Sequence, residues 1–277
     1  SNMVSENTSR GDRFYSVGDY NEAIECYDKV IRADPNNVRA IILKGDSLYH
    51  LGQHSEDTEC CDVTNTQCSA HTQNQQYSQA IECADTALSI EPNSMQAHKL
   101  KGDIMYRLGQ YKEAMASYNA ALMIESNNIE MHIFKGDAAY RLGRYEEAIE
   151  CYDGAIGIDP DNMQAQLFKG DSMYNLERYD EAIECADTAL GICPDNAEAY
   201  YLRGCSMYRL GWYAEAVKCA DTALGIDPNY AEARHLKDIS SNSLSETQNC
   251  QHRRLIACRE KPIVGSLYCG KHIKNHY

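Results

Sequence analysis

The sequence predicts an all-α fold, a solenoid of antiparallel helix pairs followed by a small zinc-stabilised module at the C-terminus. Two observations predict it. Gly11, Gly45, Gly102, Gly136, Gly170 and Gly204 recur at 34-residue intervals with one exception, and Tyr111, Tyr145, Tyr179 and Tyr213 keep the same period. Self-similarity at that period marks units that cannot bury an apolar face alone and must stack on their neighbours. The second observation is a basic tail in which Cys250, Cys258, Cys269 and His272 follow the spacing C-x7-C-x10-C-x2-H.

The stretch from Ile129 to Asn162 serves as the reference unit. Ile129 to Leu142 carries apolar and small residues at helical spacing and ends at Gly143, a C-cap signal. Tyr145 to Ile158 reads as a second helix, stopped at Asp159-Pro160 because proline biases the residue before it away from the α region. Gly136 and Ala148 are placed where the two helices approach, and bulk there would overpack the contact at a cost of about 1–3 kcal/mol.

Small residues at unit positions 8, 20 and 27, with Tyr at 17 and Pro at 32, carry a family resemblance. These positions read Gly136, Ala148, Ala155, Tyr145 and Pro160 in one unit, and Gly170, Ala182, Ala189, Tyr179 and Pro194 in the next. The pattern resembles the tetratricopeptide repeat over residues 4–238, which implies a right-handed solenoid. Departures are local: Ser126 stands for the proline, Glu177 for the inter-helix glycine, and position 7 carries Lys or Arg.

The units run 4–37, 38–94, 95–128, 129–162, 163–196 and 197–230, with a capping helix from residue 231. Gly45 and Gly102 lie 57 residues apart, one period plus 23. Two readings fit: an insertion at 54–76 in one inter-helix turn, or a decayed second helix at His54 to Asp62 followed by a truncated repeat. Tyr77 to Leu88 keeps the Ala-Ile pair as Ala80-Ile81, whereas Asp57 and Thr58 have replaced it upstream, so Tyr77 to Ile90 is expected to pack while 54–76 bulges out. Residues 239–249, which include the polar run Ser240 to Gln248, read as a linker to the 250–277 module.

Net charge is −15, but from Cys250 onward six Lys and Arg face one acid, which leaves the preceding part near −20. Such a split implies two modules with different partners, or a tail that folds back on the body. The 13 cysteines come with no apolar signal segment and no membrane-length apolar run, so reduced thiols and a cytoplasmic location are expected. Cys26, Cys83, Cys151, Cys185 and Cys219 share one unit position and read as partly buried thiols, held too far apart for a disulfide or a shared ion. His54, Cys60, Cys61, Cys68 and His71 form a second Cys/His cluster with no recognisable ligand spacing. No nucleophile with a base, Gly-rich phosphate loop or open metal site is recognisable, so the chain is expected to be no enzyme and to take no small-molecule substrate.

The resemblance implies that positions 2, 5, 9, 12 and 13 of each first helix face a binding groove. Position 9 holds Asp46, Asp103, Asp137 and Asp171, and position 12 holds Tyr49, Tyr106, Tyr140, Tyr174 and Tyr208, with Lys99 at position 5. Intrahelical pairing of Asp103 with Arg107 and Asp137 with Arg141 competes with this reading, as does inter-repeat packing for the tyrosines. Co-chaperones of this family hold a terminal carboxylate with Lys at position 5 and Asn at position 9. An aspartate row would repel a carboxylate, so the expected partner is a neutral or basic protein or peptide segment.

In the tail, three thiols and one imidazole make a closed zinc ligand set, and a module this small would depend on the metal to fold. The segment CREKPIVGSLYCGKH also resembles small Cys3His zinc modules. A disordered basic tail with incidental cysteines is the competing reading. The alternative function is nucleic-acid association, with Arg253, Arg254, Arg259, Lys261 and Lys271 on phosphates and the repeats recruiting proteins. The leading expectation is a non-enzymatic adaptor or scaffold that binds a protein segment in its groove.

Overall fold

The computed structural model describes residues 2–57 and 66–260, with side chains for 3–54 and 72–251. Among the described residues every regular element is a helix: α1 (Asn2–Ser16), α2 (Tyr20–Ala33), α3 (Val38–Asp57), α4 (Thr66–Ile90), α5 (Met95–Arg107), α6 (Tyr111–Ile124), α7 (Ile129–Arg141), α8 (Tyr145–Ile158), α9 (Met163–Asn175), α10 (Tyr179–Ile192), α11 (Ala197–Arg209), α12 (Tyr213–Ile226) and α13 (Ala231–Glu260). The chain forms two compact bodies, Ser1–Phe168 and Lys169–Tyr277. In the first, α1 packs on α2, α3 on α4, α5 on α6 and α7 on α8, and α2 packs on α3, α4 on α5 and α6 on α7. In the second, α10 packs on α11, α11 on α12, and α12 on α13.

Each boundary within the period has a local cause. The residue that closes a repeat caps the helix that opens the next: Asn128 Oδ1 accepts from the Met131 amide at 3.1 Å, Asn162 from Ala165 at 2.9 Å and Asn196 from Ala199 at 2.7 Å. Such a cap is worth about 0.5–2 kcal/mol and starts the helix at a fixed residue. The turns at Gly18, Gly109, Gly143 and Gly211 pass through the left-handed region, with Gly143 at φ 72°. Glu177 takes that place in the fifth repeat at φ 60°, a conformation that crowds its Cβ.

The position-8 glycines make room for a neighbour's side chain. A Cβ on Gly136 would stand 2.6 Å from Cε1 of Tyr152, and Gly11 and Gly102 meet Tyr27 and Tyr118 in the same way. Gly136 therefore faces an aromatic ring, where the sequence pointed to Ala148. In the remaining repeats the position of that tyrosine holds Ala84, Ala186 or Ala220, and a leucine fills the space. A Cβ on Gly45, Gly170 or Gly204 would meet Leu100, Leu202 or Leu236, together with the Cβ of Cys83, Cys185 or Cys219. These cysteines are thus packing residues, and burial raises the Cys83 and Cys219 thiols, as it does Cys151 to about 11.

Two segments differ from the sequence reading. Tyr77, Ala80 and Ala84 pack against Leu48, Leu100 and Ile104, but the chain beside them does not simply bulge. The first helix runs on through Gly52 to Asp57, and α4 begins at Thr66, so 54–57 and 66–76 are helical extensions of the hairpin. No Gly or Pro lies between Gln53 and Gln76 to stop either helix. The Cys60/Cys61 pair and the side chains of Cys68 and His71 lie outside what is described. Likewise, the expected cap and linker form one continuous helix, α13, with Ala233, Leu236 and Ser240 buried. Residues 239–249 are polar yet contain no helix breaker, and the packed first turns nucleate a helix that then propagates.

Candidate functional site

In the first body, members of the aspartate and tyrosine rows bond to one another across repeats. Tyr106, at the end of α5, donates to Asp137 Oδ2 on α7 at 3.5 Å, and Tyr15 on α1 makes the same bond to Asp46 on α3. Each position-12 tyrosine of these two repeats therefore reaches the position-9 aspartate of the next repeat. The aspartate also receives a hydroxyl from its own second helix where that tyrosine is present: Tyr27 to Asp12 at 3.0 Å, Tyr118 to Asp103 at 2.8 Å and Tyr152 to Asp137 at 3.4 Å.

Position 13 completes the network. Arg141 Nε donates to the Tyr106 hydroxyl at 3.2 Å, and Arg107 hydrogen-bonds to Tyr49 in the same sense. The arginines thus reach back to the preceding repeat's tyrosine, and Arg141 also acts on the charge of Asp137. Asp103 pairs with Lys99, Nζ to Oδ2 at 2.9 Å, and the Lys99 ammonium sits 5.0 Å from the centre of the Phe134 ring.

These side chains enclose a pocket of about 340 Å³ in the first body, lined by Tyr49, Asp103, Tyr106, Arg107, Tyr118, Phe134 and Asp137. Three successive first helices, α3, α5 and α7, supply most of it. Tyr49, Tyr106 and Phe134 are half-buried, Tyr118 is buried, and Arg107 is exposed. Burial pushes Asp103 and Asp137 up from the ordinary carboxylate range, against the bonds from Lys99 and Tyr118 in the one case and Tyr152 and Tyr106 in the other. The phenol of Tyr118 is raised as well, by burial and then by Asp103. What the pocket offers is aromatic faces beside carboxylates whose charge is partly met from within.

Of the predicted groove residues, Tyr49, Asp103, Tyr106 and Asp137 come together in this pocket, with Lys99 beside it and Asp46 one repeat earlier. Tyr140 lies at the end of α7, its ring edge-on to Tyr145 at 5.2 Å. In the second body Tyr174 is edge-on to Tyr179, and Tyr208 packs on Tyr213. Arg209 lies over the rings of Tyr174 and Tyr179. Asp171 there has Ala186 where other repeats carry a tyrosine, and burial together with Glu198 raises it to about 6. Sequence reasoning missed Tyr118 and Phe134 as pocket walls and the bonds of Arg107 and Arg141 to the preceding repeat's tyrosines. The recurrence of Arg at position 13, in Arg107, Arg141 and Arg209, was a usable signal.

The tail residues fare differently. Cys250 is exposed on α13, and the backbone of Cys258 continues the same helix. Eight residues of helix separate their Cα atoms by about 12 Å, too far for both thiolates to grip one tetrahedral ion while that helix persists. Cys269 and His272 lie outside the described residues, as do Lys261 and Lys271 and the side chains of Arg253, Arg254 and Arg259. Among the described residues no group of three His, Cys, Asp or Glu side chains could hold a metal ion, and no helix is long and apolar enough to cross a membrane.

Stacked helical hairpins with this periodic network define a helical-repeat protein. Family models identify the repeat: tetratricopeptide-repeat models match residues 11–53, 135–197 and 197–230, so the chain is built from tetratricopeptide repeats. A model described as anaphase-promoting complex, cyclosome, subunit 3 matches residues 73–155. Among solved structures, the fold is similar to YrrB, described as a TPR protein with an unusual peptide-binding site, at 19% identity and a TM-score of 0.61 over 78% of this chain and 99% of that one. It is also similar to MamA at 21% identity and TM-score 0.57, covering 71% and 94%. Residues 41 to the end of MamA from Desulfovibrio magneticus RS-1 match at 18% identity and TM-score 0.58, covering 69% and 96%. No curated protein matches the chain in sequence.

Proposed function

We propose that this protein is a non-enzymatic interaction scaffold whose first body holds a neutral or basic segment of a partner protein against α3, α5 and α7. One observation carries the reading. In the pocket Tyr49, Tyr106 and Phe134, backed by the buried Tyr118, present nearly rigid aromatic surface beside the Asp103 and Asp137 carboxylates, the kind of surface that anchors a peptide side chain at low entropic cost. Similarity in fold to a TPR protein with a peptide-binding site is consistent with it. The partner's sign follows from the carboxylates. Lys99 pairs with Asp103, whereas Asp137 accepts from the Tyr106 and Tyr152 hydroxyls with Arg141 acting on its charge from the same helix, and a bound Lys or Arg would add a direct charged partner.

The test uses the full chain and fluorescent peptides of matched length and basic, neutral or acidic composition. Asp137→Asn removes the charge, keeps the side chain's size and retains an acceptor for one of Tyr106 and Tyr152, a milder change than charge reversal. A fall in affinity of about tenfold for basic peptides, with neutral peptides unchanged, is expected. Preference for acidic peptides, or no peptide binding sensitive to Phe134→Ala, would overturn the proposal.

A further inference from the structure

The first body carries a second cavity, about 380 Å³, toward the other end of α3. Its aliphatic wall is Val38, Ile42 and Leu43, all half-buried residues from the first turns of α3. Across from them stand Glu91 and Ser94, at the turn that joins α4 to α5, and Gln96 in the first turn of α5. Two of the polar groups are already engaged. Ser94 Oγ caps α5 by accepting from the Ala97 amide at 3.4 Å, and Arg39 at the rim is bonded to Asp12 at 2.7 Å. Glu91 and Gln96 are exposed, so the lining left for a ligand to cover is chiefly aliphatic carbon.

The two cavities share the row of first helices. Ile42 in one and Tyr49 in the other pack on the same cluster of Leu48, Leu100 and Ile104, two turns or about 10 Å apart along α3. Between them α3 and α5 close up: a Cβ on Gly45 would stand 2.9 Å from Cδ2 of Leu100. The aromatic pocket also reaches one helix further, to Phe134 and Asp137 of α7. With helix axes about 8–10 Å apart, the two cavities are separated by about 14 Å on a diagonal. The ridge at Gly45 and Leu100 keeps a helix about 10–12 Å across from lying flush, whereas an extended chain can cross it. An extended chain rises about 3.3 Å per residue and sends every second side chain to one face, so residues i and i+4 span about 13 Å on the same face.

We propose that the aliphatic cavity is a second side-chain site for the same partner segment. The segment crosses α3 and α5 in extended form and places a large aliphatic residue four positions from the basic residue held at Asp137. This rests on the groove reading above and adds to it a second anchor and a spacing. One occupant suits both sites. The charge of Arg39 is met by Asp12, and Glu91 leaves the rim acidic, so a segment drawn to Asp103 and Asp137 is not repelled at the second cavity.

The test titrates the full chain into fluorescent peptides that carry one Lys and one Leu in a Ser/Thr background. Both sequence orders are made, and the tighter one is carried forward. With the two residues four apart, replacing Leu by Ala is expected to weaken binding about tenfold. Moving Leu to three positions from Lys turns it to the other face and should cost as much. Gln96→Phe puts a ring into the cavity mouth from an exposed position, and there the Leu and Ala peptides should bind alike while the preference for Lys persists. Methyl NMR of the full chain gives an independent reading: the Leu peptide should shift the Ile42 and Leu43 methyl signals, and the Ala peptide should not. Far-UV circular dichroism checks that Gln96→Phe folds. Equal affinity for the Leu and Ala peptides, equal affinity at spacings three and four, or a Leu contribution that survives in Gln96→Phe would overturn the proposal. So would Ile42 and Leu43 methyls that the Leu peptide leaves unmoved. If any of these occurs while Asp137→Asn still weakens binding of the Lys peptides, the second site alone is wrong. Peptide binding indifferent to Asp137→Asn would count against the groove reading, and no peptide binding at all would overturn both.

Discussion

The Tyr106 hydroxyl, 3.5 Å from Asp137 Oδ2, joins the end of one repeat's first helix to the middle of the next. The same oxygen accepts from Arg141 at 3.2 Å, so a single phenol ties two repeats by both of its hydrogen-bonding functions. Tyr106→Phe removes that tie without changing shape. A stability loss of about 1–2 kcal/mol is expected, measured by urea unfolding followed by circular dichroism. If the variant unfolds like the parent, the phenol does not couple the repeats.

Glu177 carries a strain that the sequence itself suggests how to remove. Its φ of 60° lies in the same left-handed region as Gly18, Gly109, Gly143 and Gly211, at 72–82°, which serve the same turn in other repeats. Glu177→Gly should raise stability by about 1 kcal/mol, because relief of the left-handed conformation exceeds glycine's added freedom in the unfolded chain. Gly143→Ala should move stability the other way by a similar amount. A lower melting temperature for Glu177→Gly would show that the side chain's own contacts outweigh the strain.

Asp171 gives a pH dependence with a definite sign. Burial and Glu198 raise it to about 6, above its unfolded value, so its folded-state advantage is complete below about pH 4 and is lost as pH rises through about 6. Ionised Asp171 is thus a cost at neutral pH, bounded at about 3 kcal/mol. Asp171→Asn is expected to stabilise the protein at pH 7 and to have little effect at pH 4. Equal effects at both pH values would contradict this.

Steric complementarity between Gly136 and Tyr152 makes a fourth kind of prediction. A Cβ at Gly136 would fall 2.6 Å from the tyrosine ring. The ring is held by its bond to Asp137, so it cannot swing aside freely. Gly136→Ala should cost about 1–3 kcal/mol, and adding Tyr152→Phe, which frees the ring from Asp137, should recover part of the loss. Additive losses in the double variant would mean that the ring is not the obstacle.

How far the sequence could be read depends on what each residue's role requires. Gly136, Pro160 and Tyr145 recur because every repeat has the same local geometry, and local geometry is written at a fixed spacing. The partners of Asp103 and Arg141 could not be found that way. Position 9 and position 13 lie four apart on one helix, which suggests a local pair, but Arg141 reaches Tyr106 and Asp103 takes Lys99. The choice depends on how closely the next helix approaches, and spacing along one helix does not contain that distance. The pocket walls Tyr118 and Phe134 were hidden for the same reason, since each belongs to a different helix.

The sequence by itself determined the helical hairpin, its 34-residue period and the residues that cap and turn it, because capping, left-handed turns and proline stops are short-range effects. Only the tertiary structure decided that 54–57, 66–76 and 239–249 remain helical. Polar composition had suggested a bulge and a linker, but a helix already nucleated by packing continues until a breaker stops it. Tertiary structure also decided that the aspartate and tyrosine rows bind each other across repeats. Hydrogen-bond partners thirty-one residues apart are chosen by the distance between stacked helices, which no single repeat encodes.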